Sequence, residues 1–403
     1  MLKLILFLFC CSLFAAGCGS LKNIAGYEND CLVVLSMDGF RWDYPDSFPT
    51  PNLNKMAQRG VKAMALIPAF PSVTFPNHYT MATGLYPDHH GIVHNTFYDS
   101  TLKYTYKISD RKAVEDGRFY GGEPIWNTAE KQGITTGIFY WVGSEANIQQ
   151  MHPTFWKKYN PEITYEQRID TVMKWLTLPW DKRPKLIMFY FDEPDHTGHV
   201  YGPDSMETGR MVTYCDSLVG VFRQKIREAK IDKNINFIVV SDHGMGSLDN
   251  NRKVVLSDKL KAGWIKRVNG SNPVIMVEAH DGFEDSIVTN LRNLKHIKVW
   301  RKDEIPAELH FGTNARINNI LVVADSSWSV TFSDQQVSGG AHGYDPANSD
   351  MHAVFYACGP AFKRGKVSHA FEHVHLYSLF CKLLDIVPVR TDGNDTETDT
   401  MLK

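Results

Sequence analysis

The sequence predicts an α/β fold, a largely parallel central sheet flanked by helices with a smaller α+β insertion. Three observations carry this. Three continuous apolar runs of strand length end in acidic residues, stretches with helical spacing lie between them, and 43% hydrophobic content over 403 residues supplies a large core. Runs that are apolar at every position suit strands covered on both faces, as in a parallel sheet.

The first run, Cys31 to Met37, ends at Asp38-Gly39. A helix follows over Pro51 to Arg59, closed by Gly60, and a strand over Val61 to Pro68. Pro71-Ser72-Val73-Thr74-Phe75-Pro76 then places a threonine at the mouth of a short helix, Phe75 to Ala82, because proline is tolerated in a first helical turn. A further strand is expected over Thr135 to Trp141 and a helix over Tyr165 to Leu176, ahead of Pro179. The second run, Leu186 to Phe191, leads into Asp192-Glu193-Pro194-Asp195. Ser205 to Ala229 spaces Val212, Leu218, Val219, Phe222 and Ile226 as one helical face, and the third run, Phe237 to Ser241, leads into Asp242-His243-Gly244. Residues 254–338 mix shorter apolar runs with polar turns and read as the insertion. A last core strand is expected over His352 to Cys358. From Thr391 to Lys403 the chain is polar and acidic apart from Met401 and Leu402, so a disordered tail is expected. No internal repeat is present, and no signal specifies an oligomeric state.

A net charge of −2 argues against sequence-specific nucleic-acid binding, which calls for clustered Lys and Arg. Residues 1–18 read as an export signal: Lys3, an apolar run from Leu4 to Ala16 too short to span a bilayer, then small residues up to Cys18. Ala15-Ala16-Gly17-Cys18 resembles a bacterial lipoprotein signal, which implies a lipid anchor at Cys18 and a periplasmic or cell-surface location. Ala15 stands where such signals usually carry Leu, and plain secretion after cleavage at Ala16 or Gly17 is the alternative. Cys31, Cys215, Cys358 and Cys381 lie far apart and mostly within apolar runs, which predicts buried free thiols.

Parallel sheets build their sites at the carboxyl ends of the strands. Those ends carry Asp38, Asp195 and Asp242-His243; His199 lies four residues past Asp195, and His342 sits in Gly339-Gly340-Ala341-His342-Gly343. Each Asp alone would pass for a helix cap or turn residue. Three Asp and three His with no Cys, drawn from separate segments, form instead a nitrogen and oxygen ligand set suited to Zn²⁺. Six such ligands and a hydroxyl suffice for two metals, an arrangement fitted to in-line phosphoryl displacement. Thr74, at a helix N-terminus that favours anions, is the hydroxyl in question. A threonine is a weak nucleophile until a base or a metal activates it. The remaining histidines, His78 among them, are read as structural or surface residues.

Leu35-Ser36-Met37-Asp38-Gly39-Phe40-Arg41, Phe70 to His78, Thr83-Gly84-Leu85-Tyr86-Pro87, His90 to Asn95, Glu193 to His199, Ser241 to Met245 and Ala341 to Asp345 together resemble the nucleotide pyrophosphatase/phosphodiesterase family of the alkaline phosphatase superfamily. The motifs run in the expected order from about Cys31 to Pro388. The resemblance implies an alkaline-phosphatase-like domain over 31–388 and two zinc ions. Asp195, His199 and His342 would hold one; Asp38, Asp242, His243 and the Thr74 hydroxyl would hold the other. It implies that Thr74, metal-bound and deprotonated, attacks phosphorus to give a phospho-threonine, with Asn95 and backbone N–H near Thr74 donating to a non-bridging oxygen. The positions matching the family's base-stacking aromatics are Phe75, Tyr159 and Tyr190, which implies a nucleotide substrate over a lysophospholipid or choline-phosphate diester. The expected products are nucleoside 5′-monophosphates. Alternatives on the same fold are a phosphomonoesterase, for which no motif places a Lys or Arg, and a phosphonoacetate hydrolase. The absence of Cys-x-Pro-x-Arg argues against a sulfatase. A catalytically silent, surface-anchored binding protein would have no need of the nucleophile and six ligands together.

Overall fold

The computed structural model describes residues 30–403. The expected export signal and Cys18 lie outside the described residues. In chain order, the elements that build the main body begin with β1 (Cys31–Met37), α1 (Pro51–Arg59), β2 (Val61–Ala63), α2 (Thr74–Thr83), β3 (Thr136–Phe139), β4 (Phe155–Lys157) and α3 (Tyr165–Leu176). They continue with β5 (Leu186–Phe191), α4 (Asp195–Tyr201), α5 (Met206–Glu228) and β6 (Ile235–Val240). Residues 254–338 hold β7 (Ile265–Ser271), β8 (Val274–Ala279), α6 (Glu284–Arg292), β9 (Ile297–Arg301) and β10 (Ile320–Ala324). The chain then returns through β11 (Phe355–Cys358), β12 (Lys366–Ser368), α7 (Leu376–Leu384) and α8 (Thr396–Asp399).

The main sheet has eight strands in the order β12-β2-β11-β6-β1-β5-β3-β4. All neighbours are parallel except β11, which runs antiparallel to β2 and β6. This is the α/β sheet the sequence predicts. Alternation along β1 explains why its run is apolar throughout. Leu32 and Val34 pack with Tyr79, Met81, Leu379 and Phe380 on one face. Cys31, Val33, Leu35 and Met37 pack with Leu53, Met56, Ile169, Val212 and Phe222 on the other. Each such side chain stabilises the fold by roughly 2 kcal/mol through burial, and a polar residue at any of them would lose that.

Helix boundaries follow from local chemistry. In α3, Thr164 Oγ1 accepts from Gln167 N while the Gln167 side chain accepts from Thr164 N, a reciprocal cap. For α5, Ser205 Oγ accepts from Thr208 N at 3.1 Å. Helix α1 begins Pro51-Asn52 without a cap bond from Thr50. Its free N–H groups go instead to Asp216 on α5, whose buried carboxylate accepts from Leu53 N at 2.8 Å and Asn52 N at 3.1 Å.

The second sheet has the order β7-β8-β10-β9, all antiparallel, with α6 packing Ile287 and Leu291 against Val277, Val299 and Val322. It is tied to the main body at residues 312–316. Asp88 accepts from the backbone N–H groups of Gly312, Thr313 and Asn314, and Arg316 donates to Asp99 at 2.7 Å and to Gly91 O at 2.7 Å.

The C-terminal stretch departs from the expected disordered tail at 391–403. It forms α8, Met401 is fully buried, and Lys363 N donates to Met401 O at 3.0 Å. Upstream, Asp392 accepts from Tyr86 N at 2.8 Å. One buried methionine and a few long-range hydrogen bonds order a segment whose own composition has no core-forming period. Cys31, Cys215 and Cys381 are buried free thiols, as expected, and Cys358 is half-buried. No helix among the described residues is long and apolar enough to cross a membrane.

Candidate active site

The register of the parallel strands sets the site. Ser36 on β1 lies opposite Tyr190 on β5 and Val240 on β6, so the three strands reach their carboxyl ends together. Two residues beyond, Asp38 and Asp242 stand side by side, and Gly39 N donates to Asp242 Oδ1 at 3.2 Å. Asp195 opens α4, its N–H donating to Asp38 O at 3.0 Å. His199 follows one helical turn later, on the same side as Asp195. His342 arrives from the loop after Gly339, whose φ of +75° and contact with the His199 carbonyl leave no room for a Cβ.

All the ligands expected from the sequence converge. His199 Nε2 lies 3.4 Å from Asp195 Oδ2 and 3.1 Å from His342 Nε2. His243 Nε2 lies 3.0 Å from Asp242 Oδ2 and 3.4 Å from Asp38 Oδ1. The His243 and His342 rings stack at 3.5 Å, so the two groups are contiguous. Thr74 is the first residue of α2, and its Oγ1 lies 3.2 Å from His243 Nε2.

Each of the three imidazoles turns Nδ1 to a backbone carbonyl: His199 to Gly340 O at 2.9 Å, His243 to Gly244 O at 2.8 Å, His342 to Ser72 O at 2.9 Å. A carbonyl only accepts, so Nδ1 carries the proton and Nε2 presents a lone pair inward, as metal-binding histidines do. Asp38 Oδ1, Asp195 Oδ1 and Asp242 Oδ2 are buried without a hydrogen-bond partner. Lone pairs facing unpartnered carboxylate oxygens are an unfavourable assembly until a cation lies among them.

The electrostatics agree. Burial, with Asp242 and Asp195 close by, pushes the Asp38 carboxyl well above the usual carboxylate range. Burial also raises Asp195. Asp242 is as deeply buried, yet a proton on His243 or His78 would hold it well below that range, a charge that a bound cation would supply instead. Burial, with His243 and His199 adjacent, drives His342 well below the usual imidazole range, which keeps its lone pair free. The donor set of carboxylate oxygens, imidazole nitrogens and a hydroxyl, with no thiolate, fits a borderline divalent cation.

Asn95 lies beside the threonine, its Oδ1 accepting from Phe75 N at 3.0 Å. Phe75, Tyr159 and Tyr190 line one cavity of about 460 Å³ with Asp38, Thr74, Asp195 and His199. Tyr140 joins them, its ring 5.0 Å from that of Tyr159. Tyr190 does more than line a wall, because its hydroxyl donates to Asp38 Oδ2 at 2.5 Å. Arg111 also faces the cavity, but its guanidinium is held by Glu145 and Glu115.

His78, read from the sequence as structural, lies within this cluster. Its Nδ1 is 3.0 Å from Thr74 O and 3.3 Å from Asp242 Oδ2, and its Nε2 is 2.9 Å from Ser36 Oγ. It therefore links the helix that carries Thr74 to the acid beneath it. The signal was present in the sequence: His78 is four residues after Thr74, on the same face of the helix that Thr74 begins.

The family model for type I phosphodiesterase / nucleotide pyrophosphatase matches residues 32–345. The chain is 33% identical to venom phosphodiesterase 2 of Crotalus adamanteus over 96% of its length, and it spans about half (49%) of that relative. It is 35% identical to ectonucleotide pyrophosphatase/phosphodiesterase family member 7 of Rattus norvegicus, covering 92% of this chain and 87% of the relative. Among solved structures, it is similar to inactive murine ectonucleotide pyrophosphatase / phosphodiesterase 5 in complex with AMP. The TM-score is 0.90 at 32% identity, covering 93% of this chain and all of that one.

Proposed function

The chain belongs to the type I phosphodiesterase / nucleotide pyrophosphatase family, a metal-dependent family of hydrolases. From that premise we propose that it is a zinc-dependent phosphodiesterase and nucleotide pyrophosphatase releasing nucleoside 5′-monophosphates. In this reading Asp195, His199 and His342 hold one zinc ion, and Asp38, Asp242 and His243, with the Thr74 hydroxyl, hold the second. The observation that carries the reading is the placement of Thr74 Oγ1, 3.2 Å from His243 Nε2, in a cluster where three buried carboxylate oxygens accept no hydrogen bond.

Bound there, the cations would make the threonine hydroxyl acidic and offset the negative charge of the phosphate. Thr74 Oγ1 forms the new bond to phosphorus as the bond to the departing alcohol or phosphate breaks, leaving a threonine phosphoester. Water then hydrolyses that ester, releasing the nucleoside monophosphate and restoring the hydroxyl. Because Phe75 N–H occupies Asn95 Oδ1, the Asn95 amide Nδ2 is the group left to donate to a non-bridging oxygen. Phe75, Tyr159 and Tyr190 offer aromatic surface for a nucleobase.

Diester specificity is supported by the cavity's charge. Its lining includes one Lys or Arg, Arg111, already held by two glutamates, so no free cation awaits the extra anionic oxygens of a phosphomonoester. The zinc-loaded protein should cleave the p-nitrophenyl ester of thymidine 5′-monophosphate much faster than p-nitrophenyl phosphate, and Thr74→Ala should abolish the first activity at unchanged Tm. The reverse preference would replace this reading with a monoesterase. Export and a lipid anchor at Cys18 complete the proposal. Radiolabelled palmitate should enter the protein in a bacterial host and be lost in Cys18→Ala.

A further inference from the structure

The opposite end of the main sheet carries a second cavity, of about 330 Å³, that the chemistry above does not use. It opens where β6 begins, at Ile235 and Phe237, and where the antiparallel β11 ends, at Cys358. Asp242 follows the other end of β6, so six residues of strand put roughly 20 Å between the two sites.

Five separate segments send cations into it, among them Lys403, whose Nζ donates to Pro360 O at 2.6 Å. Arg59 comes from the last turn of α1, Arg223 and Arg227 from one face of α5, Lys233 from the turn before β6, and Arg364 from the loop before β12. Asp232 is the single side-chain carboxylate in the lining. On a chain of net charge −2, this is a local concentration of one sign. Several arginines elsewhere, Arg41, Arg168, Arg267, Arg301 and Arg316, lie in ion pairs. Among the described residues, no carboxylate forms an ion pair with Arg59, Arg223, Arg227 or Arg364. Arg223 is the half-buried one, and burial together with the charges of Arg59 and Arg227 weakens its hold on its proton. The floor beneath these groups is apolar, made by Ile226, Phe237 and Pro360. Charged groups around an apolar floor, in a volume at the small end of ligand pockets, describe a site for an organic anion. Guanidinium pairs are the side chains best matched to phosphate oxygens.

We propose that this cavity binds a phosphate ester carrying two or more negative charges, its phosphates on Arg59, Arg223, Arg227 and Arg364 and its organic part over Ile226 and Phe237. Such a group exists on soluble bisphosphates and on anionic lipid headgroups, and the test separates the two. The metal-loaded full chain is titrated calorimetrically with fructose 1,6-bisphosphate. One saturable event is expected, weakened at least tenfold by Arg223→Gln combined with Arg227→Gln, with cleavage of the thymidine ester unchanged. Arg364→Glu, on a different segment, should give the same loss and so rules out a local defect of α5 as the cause. In the second arm the protein is pelleted with vesicles containing cardiolipin, a lipid whose headgroup carries two phosphates. Retention that both variants abolish, without a response to the bisphosphate, assigns the phosphate to a lipid headgroup. The proposal is overturned if neither probe binds, or if binding is undiminished in both variants. Its failure would leave diester cleavage at Thr74 untouched.

Discussion

Gly339→Ala tests whether the site depends on the geometry argued for it. Gly339 has φ +75°, and a Cβ built there would lie 1.9 Å from the His199 carbonyl oxygen and 2.8 Å from its carbon. Adding the methyl group therefore forces the loop carrying His342 away from the helix carrying His199 by about 1 Å or more. The left-handed conformation alone costs roughly 1–2 kcal/mol for a residue with a Cβ. A displacement of about 1 Å between groups that must act together lowers a rate on the order of 100-fold. Gly282→Ala is the control, because it has φ +81° with nothing within 4 Å of the added carbon. It should lose a similar 1–2 kcal/mol of stability with full activity. Both variants are measured for Tm, for bound zinc by mass spectrometry and for hydrolysis of the thymidine ester. Gly339→Ala should lose metal and rate beyond its loss of stability. If it matches Gly282→Ala in all three readouts, the His199–His342 contact does not organise the site.

Chelation by EDTA should abolish hydrolysis and lower Tm, with both restored by added zinc; saturation at 100 times the dissociation constant is worth about 2.7 kcal/mol, and a chelated protein of unchanged Tm would contradict the metal reading. Asp216→Ala should cost about 2 kcal/mol in urea unfolding, because two N–H groups at the start of α1 lose their acceptor, while hydrolysis is retained. Acid stability follows from two buried histidines outside the ligand set: burial lowers His90 to about 3 and His94 to about 4. Unfolded histidine titrates near 6.5, so below that pH the unfolded chain takes up protons that the folded chain refuses, and stability present above pH 6.5 is lost as the pH falls. At pH 5 the loss is about 2 kcal/mol for each. His94→Gln should therefore reduce the difference in unfolding free energy between pH 7 and pH 5 by about that amount, and an unchanged difference would show that His94 is protonated in the fold.

How much of this was legible from the sequence depended on the distance over which each feature is determined. A strand buried on both faces must be apolar at every position, so β1 and β5 announce themselves locally, and an acid just past such a run stands at the edge where a parallel sheet gathers its ligands. Helices α1 and α3 were legible for the same reason, their ends marked by Pro51 and Gly60 and by Pro179. Partners chosen across the fold leave no such mark. Asp216 serves the start of a helix 163 residues away, and Met401 finds its place only against a folded body. His78 falls between these cases. Its spacing from Thr74 is local, but its importance comes from Asp242, 164 positions on, and one among sixteen histidines is not distinguished by spacing alone. The cavity of unpaired arginines is the extreme case, assembled from segments that each look like an ordinary solvated helix end or loop. Ligand sets that must sit at strand ends are thus visible before the fold is known. Sites formed where the backs of helices meet become visible only afterwards, when Arg59, Arg223, Arg227 and Arg364 prove to share one space.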